Sequence, residues 1–159
     1  EDFLKLATNF KKYKKLHFMI IGDGYLKSYC KNFIKENRLN NVTIMGFQNQ
    51  KMLREIYNIS DLLILTSKYE TWGLVVNEAM ACGLPVISTE QCGSSRDLIS
   101  NGITGYTYSF GDMKRLNNIF KKIIFNPKRH KKMKKNVLLK ISKFSPQNTM
   151  KSIERILYD

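Results

Sequence analysis

Acidic residues, cysteines and long apolar runs are all scarce in this sequence. Only 13 of the 159 residues are Asp or Glu, against 27 Lys and Arg, so the formal net charge is +14. The three cysteines, Cys30, Cys82 and Cys92, are an odd number without metal-ligand spacing. This argues against a disulfide framework and predicts a reduced, cytoplasmic protein. No run approaches the ~20 apolar residues of a membrane-spanning helix, and neither end reads as a signal sequence.

Familiar catalytic arrangements are missing as well. The two histidines, His17 and His130, lie at a predicted strand start and in a basic run, so neither has a catalytic setting. The sequence offers no Ser-His-Asp arrangement, no His or Cys cluster for a metal and no Walker-type phosphate loop. Hydrophobic residues at 43% and charged residues at 25% are typical of a globular chain, and 159 residues fit one domain.

Apolar periodicity predicts alternating helices and strands. The predicted helices cover residues 3–14, 25–37, 51–59, 74–82 and 94–100, and the predicted strands cover 16–21, 42–46, 61–67, 85–88 and 104–108. Such alternation predicts an α/β fold in which crossover helices flank a Rossmann-like parallel sheet. We therefore predict a single domain over residues 1–159, with an α/β core at 1–125 and a helical tail at 126–159. Helices are predicted at 112–125, 128–142 and 146–158, the last with an apolar stripe of Met150, Ile153, Ile156 and Leu157.

The segment around Gly73 predicts a ligand site. The apolar run 61–67 is bounded by polar residues, as expected for a strand buried on both faces. Residues 67–73 would then follow the carboxyl end of that strand, where open α/β sheets bind their ligands. Gly73 allows close approach of the backbone, and the amides that open the next helix have no partners within that helix. Such amides, together with the helix dipole, suit a pyrophosphate.

Two glutamates bracket this turn. Glu70 precedes it, and Glu78 lies on the following helix, which is apolar nearly all round and is therefore predicted to be buried. A carboxylate on a buried helix is costly unless it is hydrogen-bonded, and a vicinal diol such as ribose offers two donors. Taken alone, Glu78 is better explained as a structural carboxylate that caps a neighbouring helix or pairs with Arg54 or Arg96. The spacing from Glu70 and the Gly-Leu turn between them favour the ligand.

Residues 67–87, in which two glutamates stand with seven residues between them, resemble the signature of the retaining glycosyltransferases of family 4. That family has the GT-B fold of two Rossmann-like domains. Segments 18–24, 41–47, 57–62 and 91–105 are similar, in order and spacing, to the C-terminal domain of the family, from about residue 3 to residue 125. Gly93-Ser94 stands where the family often has Gly-Gly, and Asp97 where Glu is common, so these positions receive no ligand role.

The resemblance implies roles for individual residues. Glu70 would be catalytic, binding hydroxyls of the transferred sugar and stabilising an oxocarbenium-like transition state, while Glu78 would hold the ribose. The leaving phosphate would meet the backbone amides of Trp72, Gly73, Leu74 and Val75. Gly22 and Asp23 would lie beside the nucleotide, with a simple tight turn as the alternative. Phe47 would contact the base through its backbone, with core packing as the alternative.

The resemblance also implies the wider context of the chain. It would be the donor-binding half of a polysaccharide-biosynthesis hexosyltransferase that acts on a glycan or lipid-linked acceptor with retention. The N-terminal acceptor domain of the same enzyme would be a partner of this chain and is absent from these residues. Members of the family usually also have, before the first helix of this domain, a strand and loop whose Arg and Lys clamp the donor phosphates, and these residues lack that segment. The fragment alone is then expected to be inactive. A UDP-sugar is expected as the donor in preference to a GDP-sugar, and no metal or other cofactor is expected.

Two other classes stay open. One is a GT-B sugar-nucleotide epimerase, which would need different acidic and histidine residues in its cleft. The other is a noncatalytic nucleotide-binding module. A glycoside hydrolase, which also uses two carboxylates, is not favoured, because the Gly-Leu turn and the apolar helix indicate donor binding.

The basic residues cluster in two places. Lys11, Lys12, Lys14 and Lys15 form one cluster, and the second comprises Lys121, Lys122, Lys128, Arg129, His130, Lys131, Lys132, Lys134 and Lys135. A solvated face is the favoured interpretation. Peripheral contact with an anionic membrane, at its inner face, is the second. Nucleic acid is not expected, because no interleaved aromatic residues are available to stack bases.

Overall fold

The predicted alternation of helices and strands is confirmed by the computed structural model, which describes residues 1–144, 148, 150 and 154. The helices are α1 (Asp2–Asn9), α2 (Lys27–Glu36), α3 (Gln50–Ile59), α4 (Leu74–Ala81), α5 (Gly93–Leu98), α6 (Met113–Ile124) and α7 (Pro127–Ile141), followed by a 3-10 turn at Ser142–Phe144. The strands are β1 (Phe18–Ile21), β2 (Val42–Gly46), β3 (Leu63–Leu65), β4 (Val86–Thr89) and β5 (Gly105–Tyr108). The predicted helix at 146–158 and its apolar stripe lie outside the described residues, apart from residues 148, 150 and 154.

Within the described residues all strand pairs are parallel, and they form two sheets. β1 pairs with β2, and β3, β4 and β5 form a second sheet in that order. A single apolar cluster joins the two sheets, because it contains Phe18 of β1, Ile87 of β4 and Tyr108 of β5. Leu6 of α1 and Leu116 of α6 belong to the same cluster. These helices therefore cover one face of both sheets, as the predicted Rossmann-like α/β class requires.

Strand β4 is the buried centre of its sheet, and β3 is not. All of Val86–Thr89 is buried, whereas all three residues of Leu63–Leu65 are only partly buried. The prediction that segment 61–67 forms a strand buried on both faces is therefore wrong in extent and in burial. Among the described residues β3 pairs with β4 alone, so its other edge lacks a neighbouring strand.

Helix α4 is buried on one side only, which corrects the prediction of a helix buried nearly all round. Val76 and Met80 are fully buried in a cluster with residues of β4 and α7, and Ala79 is fully buried in a second cluster. In contrast, Leu74 is 68% exposed and Val75 is 36% exposed. The first turn of α4 stands at the carboxyl edge of the sheet, where no other described element covers it. Apolar composition indicated burial here, but the position of the turn at an open edge decides its exposure.

The region predicted as a helical tail begins with α7, which packs into the core. Asn126 caps this helix through its side chain, which accepts a hydrogen bond from the amide of Arg129 at 2.9 Å, and Pro127 occupies the first turn. Both features are standard signals for the start of a helix. Met133 and Val137 are buried, and Val137 contributes to the cluster that contains residues of α4.

Two loops at the carboxyl edge of the β3-β4-β5 sheet are joined by backbone hydrogen bonds. We call this contact between residues 70–73 and residues 92–94 the loop junction. The amide of Gly93 donates to the carbonyl of Glu70 at 3.0 Å, and the amide of Ser94 donates to the carbonyl of Trp72 at 2.9 Å. A Cβ atom on Gly93 would lie 2.1 Å from the carbonyl oxygen of Thr71. Only glycine permits this approach, so residue 93 sets the spacing of the two loops.

Replacing Gly93 with alanine should destabilise the protein by separating these loops. The added methyl group would overlap a backbone atom, which cannot rotate away as a side chain can, so overpacking should cost about 1–3 kcal/mol. We expect a melting temperature lower by about 3–10 °C in thermal unfolding.

The matched control is Gly24→Ala, because a Cβ at Gly24 meets nothing within 4 Å. Gly24→Ala should melt within about 1 °C of the unmodified protein, as expected for a surface change of a few tenths of a kcal/mol. Equal melting temperatures for the two variants would contradict the proposed tight contact at the loop junction.

Candidate functional site

The structure brings the predicted site residues to the carboxyl ends of the strands. Gly22 follows β1, Phe47 follows β2, and Glu70 lies in the loop between β3 and α4. The amide of Gly22 donates to the carbonyl of Gly46 at 2.8 Å, so the loops after β1 and β2 are adjacent. These residues therefore lie along one edge of the fold, although they come from two sheets.

The start of α4 is open toward this edge. Gly73 is the N-cap residue and has a left-handed backbone (φ 85°), and no side chain of the described residues caps the helix. The amide of Val76 donates to the carbonyl of Gly73 at 2.9 Å. Helical geometry leaves the amides of Leu74 and Val75 without partners inside the helix. An uncapped helix start with free amides and a positive dipole end is suited to an anion.

Glu70 is held at this helix start by its backbone. The carbonyl of Glu70 accepts a hydrogen bond from the Gly93 amide in the loop junction, and Glu70 also forms an isolated parallel β-bridge with Cys92. Its Cγ lies 3.2 Å from the position that a Cβ on Gly73 would take, so the side chain runs along the turn. Within the described part of the chain, no hydrogen bond or ion pair involves the half-buried Glu70 carboxylate. It is therefore available to a ligand.

Glu78 has a protein partner that the sequence analysis did not predict. Its Oε2 accepts a hydrogen bond from the hydroxyl of Tyr57, on α3, at 3.1 Å. Burial raises the pKa of the Tyr57 hydroxyl, and the nearby negative charge and the hydrogen bond of Glu78 raise it further. Tyr57 therefore remains a protonated donor at neutral pH. The described residues show no ion pair of Glu78 with Arg54 or Arg96, the partners considered as alternatives.

Glu78 is exposed. Its carboxylate therefore does not need a hydrogen-bonding ligand to offset a cost of burial, contrary to the expectation from the sequence. It lines an open groove of about 270 Å³ between α3 and α4, together with Gln50, Leu53, Arg54, Tyr57, Ala81 and Cys82. Glu70 is not among the lining residues. The two glutamates therefore do not share this groove. Glu78 lies four residues, or about 6 Å, further along the helix than Leu74.

Trp72 contributes to the site mainly by fixing its loop. Its indole N–H donates to Oδ1 of Asn77 at 2.9 Å, which ties the loop to the first turns of α4. Its carbonyl accepts from the Ser94 amide and from the Sγ of Cys92, at 2.9 and 3.0 Å. These contacts set the direction of the backbone just before Gly73.

The loop after β1 is held by internal contacts. Oδ1 of Asp23 accepts from the amide of Gly24 at 2.9 Å, and Oδ2 contacts Nζ of Lys27. The hydrogen bond from Lys27 lowers the pKa of Asp23, and the Gly24 amide lowers it further. Gly22 has a left-handed backbone with φ of 113°. A tight turn accounts for these contacts, and a direct ligand role for Gly22 and Asp23 stays a prediction.

Phe47 is 79% exposed, so core packing does not explain it. Its ring stands free at the same edge as Gly22, and its predicted contact with a base stays a prediction.

In residues 1–144, 148, 150 and 154, no cluster of three or more His, Cys, Asp or Glu side chains could hold a metal ion. No helix within those residues is both long and apolar enough to cross a bilayer.

Three residues that shape the site were not predicted as part of it: Tyr57, Cys92 and Gly93. Tyr57 is 21 positions from Glu78, and no local pattern links an aromatic residue on one helix to a carboxylate on the next. Gly93 carried a signal, since it stands where the resembling family has paired glycines. That signal indicated a turn and not the 2.1 Å approach to Thr71.

Comparisons with known proteins identify the family and the fold of this chain. Residues 1–139 match the sequence profile of the family described as glycosyl transferases group 1. In an alignment of 182 positions, the chain is 28% identical to N-acetyl-alpha-D-glucosaminyl L-malate synthase of Bacillus anthracis. The alignment covers 100% of this chain and 46% of that protein. The chain thus spans less than half the length of this curated relative.

Solved structures share the fold. HepE of Anabaena, solved in complex with UDP, aligns with a TM-score of 0.84 at 23% identity, covering 98% of this chain and 44% of that chain. The C-terminal domain of the glycosyl transferase group 1 family protein LpcC of Francisella tularensis aligns with a TM-score of 0.79 at 22% identity, covering 89% and 76%. Because the family profile covers most of its residues, this chain belongs to the glycosyl transferases group 1 family and has the α/β fold of the matching part of GT-B glycosyltransferases.

Proposed function

We propose that this chain binds the donor of a retaining glycosyltransferase, which transfers a hexosyl group from a UDP-sugar to a glycan or lipid-linked acceptor. The single observation that carries the proposal is the half-buried carboxylate of Glu70 beside the start of α4. No described side chain caps that helix start, and none forms a hydrogen bond or ion pair with the carboxylate. An anion site and a hydroxyl acceptor thereby stand next to each other. A sugar nucleotide presents its diphosphate and its sugar hydroxyls in the same arrangement.

The diphosphate of the donor would bind at the first turn of α4. The amides of Gly73, Leu74 and Val75 are candidates to donate to its oxygens, with the amide of Trp72 before them. Because Gly73 has no side chain, a phosphate can approach this backbone closely. The positive end of the helix dipole would stabilise the charge that grows on the leaving diphosphate as the bond to the sugar breaks.

The ribose would bind at Glu78, in the groove between α3 and α4. A vicinal diol donates two hydrogen bonds, and the carboxylate can accept them while it also accepts the Tyr57 hydroxyl at 3.1 Å. Tyr57 then acts as a positioning residue, because its hydrogen bond holds Glu78 toward the groove. The base would lie toward Phe47, whose exposed ring offers a stacking surface.

Glu70 would act on the transferred sugar. Its carboxylate would accept hydrogen bonds from sugar hydroxyls and stabilise the positive charge that develops at the anomeric carbon in an oxocarbenium-like transition state. In a retaining transfer on one face, the bond between the anomeric carbon and the diphosphate oxygen breaks. The acceptor oxygen bonds to the same face, and its proton passes to the leaving diphosphate.

This assignment needs the remainder of a longer enzyme. The chain covers 46% of the curated relative described above, and the acceptor site is proposed to lie in an N-terminal domain of the same protein. We propose that the reaction takes place in the cytoplasm and needs no metal ion. We expect no transfer from the 159 residues alone. HepE, which was solved with UDP, supports UDP as the nucleotide.

Glu70→Gln should remove transfer while sparing nucleotide binding. In the full-length enzyme we expect kcat with a UDP-sugar to fall by about 100-fold or more, because a charged group facing the transition state is lost. The Kd for UDP, measured by calorimetry, should stay within about three-fold, since Glu70 is proposed to contact the sugar.

The control for this variant is Glu55→Gln, an exposed carboxylate on α3, which should leave kcat unchanged. Normal transfer by Glu70→Gln would refute the catalytic assignment. Release of an epimerised sugar in place of a glycoside by the unmodified enzyme would favour the epimerase. Tight UDP binding without turnover of any nucleotide sugar by the full-length protein would favour the noncatalytic module.

Glu78→Ala and Tyr57→Phe should weaken nucleotide binding to different degrees. Loss of hydrogen bonds to the Glu78 carboxylate should raise the Kd for UDP about 10- to 100-fold. Tyr57→Phe removes one hydrogen bond that orients Glu78, so we expect an increase of about three- to ten-fold with kcat at saturating donor unchanged.

The ligand 2′-deoxy-UDP tests the ribose contact directly. Glu78→Ala should weaken its binding much less than that of UDP, because one hydroxyl partner of the carboxylate is already missing. Equal losses for UDP and 2′-deoxy-UDP would argue that Glu78 does not contact the diol. Thermal unfolding of Tyr57→Phe separates a loss of positioning from a loss of fold.

A further inference from the structure

The two lysine clusters of the sequence meet on one surface of the fold. The rings of Tyr13 and Phe125 lie 5.1 Å apart, and Asn9 donates a side-chain hydrogen bond to Asn117 at 3.1 Å. The segment that follows α1 thus runs beside the end of α6. We define the basic face as the lysines around this aromatic pair: Lys11, Lys12, Lys14, Lys15, Lys121, Lys122 and Lys128.

The positive charge of the basic face is not balanced by acids nearby in the chain. All seven lysines are exposed, and residues 3–22 and 113–153 include no Asp or Glu. The ion pairs found among the described residues are Lys5 with Glu1 and Lys27 with Asp23, so none involves the basic face. A polyanion approaching this surface would meet little opposing charge.

The aromatic pair gives the basic face an apolar centre. Tyr13 is 46% exposed and Phe125 is 49% exposed, and both rings pack on the buried Phe10. Lys121 and Lys122 precede Phe125 by about one turn, so they emerge on its side of α6. Long lysine side chains around half-exposed aromatic rings fit an interface that is apolar on one side and anionic on the other.

The basic face lies opposite the candidate donor site. Its first cluster leads directly into the amino end of β1, and the Nε2 of His130, in the first turns of α7, lies 2.7 Å from the carbonyl of Asp61, just before β3. The loops with Glu70 and Gly22 follow the carboxyl ends of the strands. A surface bound at the amino edge would therefore leave the donor site open to water.

We propose that the basic face docks onto the anionic headgroups of a lipid bilayer. Anionic lipid headgroups would surround the lysines, and the rings of Tyr13 and Phe125 would enter the interfacial layer. A bilayer fits better than nucleic acid, because the two aromatic rings pack against each other and are not spaced as platforms for successive bases. This inference is independent of the proposed sugar transfer.

Vesicle sedimentation of the full-length protein tests the proposal. Vesicles of 70% phosphatidylcholine and 30% phosphatidylglycerol should bind the protein at 0.1 M salt, and vesicles of phosphatidylcholine alone should not. Raising the salt to 0.5 M should weaken binding strongly, because screening shortens the reach of the charges. Equal binding to both vesicles, or none to the anionic ones, would overturn the proposal.

A pair of charge-matched variants locates the surface. Lys12→Gln, Lys14→Gln and Lys122→Gln together should weaken vesicle binding on the order of 100-fold, at about five-fold for each lysine near an anionic surface. The control combines Lys31→Gln, Lys35→Gln and Lys51→Gln, three exposed lysines of α2 and α3, and should change binding by less than about three-fold. Similar losses in both triple variants would show that net charge alone is responsible.

Tyr13→Ser tests the apolar contact. It should weaken binding several-fold at both salt concentrations, since burial of a ring is not screened by salt, and an unchanged Kd for UDP would show that the fold is intact. A 30-nucleotide single-stranded RNA should not displace the protein from anionic vesicles at equal phosphate concentration. Displacement by the RNA would mean that the basic face is a nucleic-acid surface.

Discussion

The backbone contact between the loops after β3 and β4 is the constraint on which the candidate site depends. Hydrogen bonds from Gly93 and Ser94 fix the carbonyls of Glu70 and Trp72, and the missing side chain of Gly93 allows the loops to approach. Gly73 can then turn the chain into α4 with a left-handed backbone. The position of the Glu70 carboxylate relative to the helix start thus follows from the contact of its carbonyl with Gly93, 23 positions away in sequence, and not from its own side-chain interactions.

One side of helix α4 packs in the core, and the opposite side faces the candidate site. Val76, Ala79 and Met80 are buried in the core, while Leu74, Val75 and Glu78 are exposed toward the open edge and the groove. Tyr57 connects the two functions, because its ring packs in the cluster that contains Ala79 and its hydroxyl reaches Glu78. The core therefore orients a polar group at its surface without enclosing it.

Local pattern predicted most of the fold, and spatial neighbours decided the rest. The strand Val42–Gly46 was predicted to the residue, because its apolar run and its flanking turns are contained in the sequence around it. The half-burial of β3 and the exposed first turn of α4 were not predicted, since both depend on which elements stand beside them. In the site, the spacing of Glu70 and Glu78 predicted ligand contacts that stay predictions, whereas the Tyr57 hydroxyl beside Glu78 lay beyond any local pattern.

The edge of β3 that lacks a neighbour has a consequence for how this chain behaves in solution. No strand in the described part of the chain pairs with the amide and carbonyl groups along that edge, so they could continue a parallel ladder. Leu63–Leu65 supplies the apolar side chains that such pairing would cover. Any additional extended segment that pairs there, from this polypeptide or from another molecule, would enlarge the sheet. An exposed strand edge that stays unpaired favours aggregation, so the solubility of these 159 residues reports on whether the edge is occupied.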